Sequence, residues 1–113
     1  MTDALAVVAR FGAAFDRHDV DAIMAAMTED CVFESTAPPE GTRHVGQEAV
    51  RAAWTEFFAA NPDAVFETEE QVGCGDLVVS RWLYRWPDGH VRGVDVFRVR
   101  DGLVAEKACY VKG

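Results

Sequence analysis

The sequence holds few of the features that fix a function by themselves. Only three of its 113 residues are cysteines, Cys31, Cys74 and Cys109. They are odd in number, widely spaced and without CxxC or Cys/His ligand spacing, which argues against a disulfide framework and a zinc site and reads them as small buried hydrophobes in a reducing compartment. No run approaches the roughly 18 apolar residues of a membrane span. The opening MTDALAVVARFGAAFDR carries acid and arginine inside its apolar stretch and no basic leader, so a signal peptide is not expected and a cytoplasmic location is. Positive charge is scarce: 11 Lys and Arg against 19 Asp and Glu give a formal net charge of −8. Such a chain repels phosphate backbones and anionic lipid, and its arginines alternate with strand residues instead of forming a patch, which disfavours nucleic acid and membrane as partners. No metal or nucleotide motif occurs, so no cofactor is expected.

What is present reads as one globular domain spanning residues 1–113. Half of the residues are apolar, there is no low-complexity run, and a chain of this size buries roughly two thirds of its unfolded surface. Thr2 or Asp3 is positioned to cap a first helix, with Ala4, Leu5, Val8, Phe11, Gly12 and Phe15 on one buried face and an end near Arg17. His18 and Asp19 form a turn, His18 as a solvated histidine and Asp19 as cap of a shorter helix whose apolar stripe is Ile23, Met24 and Met27. Thr28 to Asp30 break the helical period, and Cys31 to Ser35 read as a short strand with Cys31, Phe33 and Ser35 on one face and Val32 and Glu34 on the other. TAPPEGTRHV, residues 36–45, is a loop with a short strand near Thr42 to Val45, and Arg43 and His44 are its titratable donors. A third helix runs from Gln47 to Ala60 with Ala49, Val50, Ala53, Trp54, Phe57 and Phe58 at helical spacing, and Asn61-Pro62 stops it.

Strands then follow over Ala64 to Val72, Leu77 to Trp86, Val91 to Arg100 and Leu103 to Val111, joined as an antiparallel meander. In the second of them Ser80, Trp82, Tyr84 and Trp86 should face the helices. Arg81, Leu83 and Arg85 should face outward with Arg92, Val94, Val96 and Arg98, where Glu67 and Glu69 are placed to pair with arginines. Asp101-Gly102 is a strong hairpin signal within the stretch from Arg92 to Gly113. Asp95 sits in the middle of an apolar arm of that hairpin. An aspartate there either faces solvent or lines a pocket, because a buried carboxylate needs a partner. Two registers stay open: a two-residue loop pairs Asp95 with Ala108, and a three-residue loop pairs it with Lys107, which would make it half of a salt bridge and weaken its catalytic reading.

The runs FGAAFDRHDVDAIMAAMTEDCVFE, VGQEAVRAAW and GVDVFRVRDG, in that order and spacing, resemble the SnoaL-like branch of the nuclear transport factor 2-like superfamily over nearly the whole chain. The resemblance implies an α+β, cone-shaped fold, with three N-terminal helices packed on a strongly bent, mainly antiparallel sheet that encloses a mostly apolar pocket. It also implies a homodimer through the outer sheet face. The superfamily holds isomerases, cyclases, hydrolases and non-catalytic binders, so fold does not give function. Asp95 matches the penultimate-strand acid of ketosteroid isomerases and the acid/base aspartate of the cyclases. Phe11 stands where those isomerases carry a tyrosine, Ser35 stands at their general base, and Trp54 matches a supporting aromatic. The Asp-Arg-Asp network of the epoxide hydrolases is not supported, since Arg92 and Glu34 are out of phase with the pocket.

The leading expectation is an acid/base enzyme on a small apolar carbonyl compound. Asp95 would transfer the proton or bind the oxyanion, burial favouring its neutral form, and His44 would be a second catalytic group. Phe11, Phe33, Ser35, Trp54, Trp82, Tyr84 and Phe97 are the candidate substrate-binding residues. Trp54 carries an indole N–H that a pocket acid could accept. The competing expectation is a binding protein for an apolar metabolite with a vestigial site, which Phe11 and Ser35 favour. A protein-interaction module would need a further exposed apolar patch, and the sequence shows none.

Overall fold

Asp3 starts the first helix, its Oδ1 accepting from the Leu5 amide at 3.0 Å, in a computed structural model that describes residues 3–112. The alternative cap Thr2, and Gly113 at the end of the hairpin stretch, lie outside the described residues. The elements are α1 (Ala4–Asp16), α2 (Val20–Ala25), β1 (Met27–Glu34), β2 (Arg43–Val45), α3 (Gln47–Ala60), β3 (Val65–Cys74), β4 (Leu77–Trp86), β5 (Gly89–Arg100) and β6 (Leu103–Val111). The buried face of α1 is Ala4, Val7, Val8, Phe11, Ala14 and Phe15. Leu5 and Gly12, expected on that face, lie at its edge: Leu5 is 36% exposed and rests against Gly73 of β3, and Gly12 borders a small space beside Phe66 and Trp82. Asp19 caps α2 as expected, accepting from the Ala22 amide at 3.1 Å. Asn61 closes α3, its amide side chain donating to the Phe57 carbonyl at 2.9 Å.

Among the described residues the strands form one six-stranded sheet in the order β2-β1-β6-β5-β4-β3. The meander β3 to β6 is antiparallel throughout, and β1 joins β6 in parallel, so the sheet is mixed. β1 begins at Met27, four residues earlier than the alternation suggests. Met27 pairs with Val104 on β6, and an irregularity before Val32 hides the period. Met27 therefore belongs to the sheet and not to the stripe of α2. The Gln47 side-chain amide ties this junction to α3, donating to the carbonyls of Met24, Met27 and Thr28 at 3.1, 3.3 and 3.0 Å.

The hairpin turn has positive φ at both Asp101 and Gly102, the signature of a two-residue type I′ connection. Arg100 faces Leu103 and Val99 faces Val104, but Arg98 faces Glu106, so one residue is bulged out of β6. The bulge sets a register that neither simple loop length gives: Asp95 lies opposite Cys109. It also turns both Val104 and Lys107 to the helix side, where strict alternation would place only one of them.

The outer face of the sheet carries the arginines, paired to Glu67, Glu69 and Glu70 from β3. These pairs are half-exposed and contribute little to stability each. The cysteine expectation is corrected for two of three: Cys31 is buried, whereas Cys74 is exposed at the end of β3 and Cys109 is half-buried on the helix side. No helix of the described residues is long and apolar enough to cross a membrane.

Candidate functional site

Between α3, β1 and the inner face of β4 to β6 lies a cavity of about 620 Å³, within the range of sites for drug-sized ligands. Its walls are aromatic because the inner positions of each element are: Phe15 from α1, Phe33 from β1, Trp54 and Phe57 from α3, Phe66 from β3, and Trp82 and Tyr84 from β4. Trp82 lies on Gly93 of β5, where an added Cβ would come within 2.5 Å of the indole, so the absence of a side chain there lets the ring lie flat on the sheet. Seven of the residues singled out from sequence line the cavity: Phe33, Ser35, His44, Trp54, Trp82, Tyr84 and Asp95. Phe11 and Phe97 do not. They pack edge-on against each other with ring centroids 5.6 Å apart, in the layer between α1 and the sheet, and border only a space of about 50 Å³ behind Asp95.

Asp95 and Lys107 meet at the cavity floor. Both are buried, at 7% and 6% exposure, and Lys107 Nζ stands 3.5 Å from Asp95 Oδ2. The separation is that of an ion pair rather than a short hydrogen bond. Their strands place them diagonally: Asp95 faces Cys109, Phe97 faces Lys107, and the two long side chains lean together. Lys107 Nζ also donates to Cys109 Sγ at 3.1 Å and lies 5.0 to 5.2 Å from the ring centroids of Phe15, Phe33 and Trp54. Ring faces attract a cation, and a desolvated one most. The ammonium is thus held by one carboxylate, one sulfur and three aromatic faces.

Burial alone would push the Lys107 ammonium down, but the Asp95 carboxylate and Cys109 more than offset it and hold it above the ordinary lysine value of 10.5. Burial pushes the Cys109 thiol up to about 12 against the pull of Lys107. At neutral pH the floor is therefore a charged Lys107 and a neutral Cys109 thiol. A group whose value is raised in the folded state stabilises fully below its unfolded value and loses that contribution as pH rises through the folded one. Urea unfolding of the wild type should show stability declining from about pH 9, where the Cys109 thiol ionises in the unfolded chain, and the further decline above about pH 10.5 should be smaller in a variant in which Asp95 and Lys107 are both apolar.

Asp95 Oδ1 and the indole nitrogens of Trp54 and Trp82 are buried without a hydrogen-bond partner among the described residues. The expected bond from Trp54 to the pocket acid is not made, because Lys107 takes the place beside Asp95 and the Trp54 ring offers it a face. Ser35 Oγ accepts from the Thr42 amide at 2.9 Å, which fixes the loop to the end of β1 and leaves its own proton to donate. His44 stacks on Phe33 at 5.6 Å, at the cavity wall. The Tyr84 phenol is pushed up by burial and stays protonated at neutral pH. Glu34 pairs with Arg43, and Arg92 with Glu69, outside the cavity. Lys107, Cys109, Phe15, Phe66 and the exposed Glu56 line the cavity as well, although none was among the expected site residues; Phe15 was expected only on the buried face of α1. The signal for Phe15 and Phe66 was their aromatic character on inner positions; for Lys107 the bulge concealed it. No group of three or more His, Cys, Asp or Glu suited to a metal occurs among the described residues.

Residues 8–107 match the family model described as a SnoaL-like domain. The chain belongs to the SnoaL-like family. A nuclear transport factor 2-like protein of unknown function from Mesorhizobium loti is 39% identical, with a TM-score of 0.86 over 97% of this chain and 91% of that one. Two more distant structures share the SnoaL-like fold. A candidate polyketide cyclase from Sinorhizobium meliloti is 24% identical, with a TM-score of 0.81 over 95% of this chain and 98% of that one. A candidate ketosteroid isomerase from Kribbella flavida is 16% identical, with a TM-score of 0.85 over 97% of this chain and 78% of that one. No curated protein matches the chain. The three helices on a six-stranded, mainly antiparallel sheet are the α+β fold that the sequence motifs implied.

Proposed function

We propose that this SnoaL-like chain is an acid/base enzyme that moves a proton on a small, apolar carbonyl compound. The observation that carries the reading is the buried Asp95–Lys107 pair at the floor of an aromatic cavity, with Asp95 Oδ1 unpartnered. An ionised carboxylate accepts and cannot donate, so the role of oxyanion donor passes from Asp95 to Lys107. Asp95 takes the proton from the carbon beside the carbonyl, the C–H electron pair moves into a new C=C bond, and the carbonyl oxygen becomes an enolate held by the Lys107 ammonium. Asp95 then returns the proton to carbon. The low-polarity walls strengthen both interactions. Phe33, Trp54, Trp82 and Tyr84 hold the substrate body, Ser35 supplies a donor, and His44 serves as a second proton carrier at the wall. The protein works in the cytoplasm as a homodimer through the outer sheet face, a reading supported by unpaired cysteines and by the exposed Tyr110 beside the half-buried Val94 and Val96.

Deuterium exchange tests this directly. Incubated with acetophenone or another enolisable ketone in heavy water, the wild type should incorporate deuterium beside the carbonyl well above the buffer rate, followed by NMR. A protein that binds such ketones without exchange would instead be a binding protein. That second reading is favoured by one observation, the engagement of Ser35 Oγ by the Thr42 amide, which gives the general-base position of related isomerases a structural task.

A further inference from the structure

The cavity does not end at its mouth. A groove of about 370 Å³ runs on between the end of α3 and the end of β4, and Ala60, Asn61, Tyr84 and Trp86 border both spaces. Trp86 stands at the junction, 38% exposed, its ring centroid 5.4 Å from that of Tyr84. The start of β5 backs it: a Cβ at Gly89 would lie 3.1 Å from Trp86 Cζ2, so the backbone is packed on the indole on that side. The indole is therefore fixed and still uncovered where it meets the groove. Pro62 and Pro87 extend the apolar walls, while Asp63 borders the groove and Glu56 the cavity. Those carboxylates disfavour an anionic occupant.

We infer that the ligand is elongated, its carbonyl end at Lys107 and a flat, neutral, apolar tail passing out of the cavity onto Trp86, which is the residue that selects for length. The placement of the carbonyl end rests on the ketone reading above; the tail site does not. Stacking on a fixed aromatic adds to area burial.

Calorimetric titration with acetophenone, para-acetylbiphenyl and biphenyl separates the two. Wild type should bind para-acetylbiphenyl more tightly than acetophenone, and Trp86→Ala should weaken the longer ketone by about tenfold while leaving acetophenone within about twofold. Gly89→Val, which displaces the indole without deleting it, should give the same selective loss. Equal weakening of both ketones, no weakening of either, or dissociation of a dimer by Trp86→Ala would overturn the assignment. If neither ketone binds the wild type, the ketone reading fails. Biphenyl then decides the tail site: Trp86-dependent binding upholds it, and no binding overturns it.

Discussion

Replacing Lys107 by methionine should cost the fold about 3–5 kcal/mol, because it leaves the Asp95 carboxylate buried without its counter-charge. The side chain is nearly isosteric, so packing loss is a minor part of the effect. The informative comparison is with Asp95→Leu combined with Lys107→Met. Taking two charges out of water is costly, and an apolar pair of similar volume is often neutral or more stable than the ion pair it replaces, by up to about 4 kcal/mol. Urea unfolding should show the single variant well below wild type and the double variant at or above it. Two single variants each within about 1 kcal/mol of wild type would mean that the pair is solvated and the floor of the cavity wet. A double variant at or above wild type would favour the proposed chemical role of the pair over a role in folding.

The second large effect is on that chemistry. Asp95→Asn keeps the shape of the side chain and removes the base, and proton transfer to a positioned side chain is worth about 10²–10⁴-fold in rate. Deuterium incorporation into a bound ketone should fall by that factor. His44→Gln should change it less, because His44 lies at the wall and not at the floor. Asn leaves Lys107 unpaired, so the rate has to be read where the variant is still folded. The apolar double variant supplies a stable inactive control.

Much of the fold was legible because its punctuation is local. Asn61-Pro62 ends α3, Asp19 caps α2, and Asp101-Gly102 turns the hairpin, each through a side chain or a backbone angle that its own sequence dictates. The aromatic face of β4 was legible from alternation alone. What was hidden depends on partners distant in sequence. Thr28 to Asp30 look like a break, and they are the irregular stretch of β1 between its Met27–Val104 and Val32–Glu106 pairings with β6. Alternation counted from the buried Val104 puts Lys107 outward, and only the bulge between the Val99 and Arg98 pairings turns it in. Lysine is also a residue that composition assigns to the surface. The site was therefore half legible: the acid stood out as an aspartate on an apolar strand, and its cation, Lys107, was legible only as one of two alternative partners in registers that the bulge replaced. Phe11 and Phe97 were misplaced because an inward residue can face a core layer as well as a cavity, and periodicity does not distinguish them.

One measurement bears most directly on the account: deuterium incorporation into acetophenone by wild type and by the Asp95→Leu, Lys107→Met double variant, at equal ligand occupancy set by calorimetry. Wild type should exchange the hydrogens beside the carbonyl, and the double variant, folded and loaded, should not rise above buffer. Equal rates in the two proteins, or no exchange by a fully occupied wild type, would contradict the assignment of Asp95 and Lys107 as base and oxyanion donor.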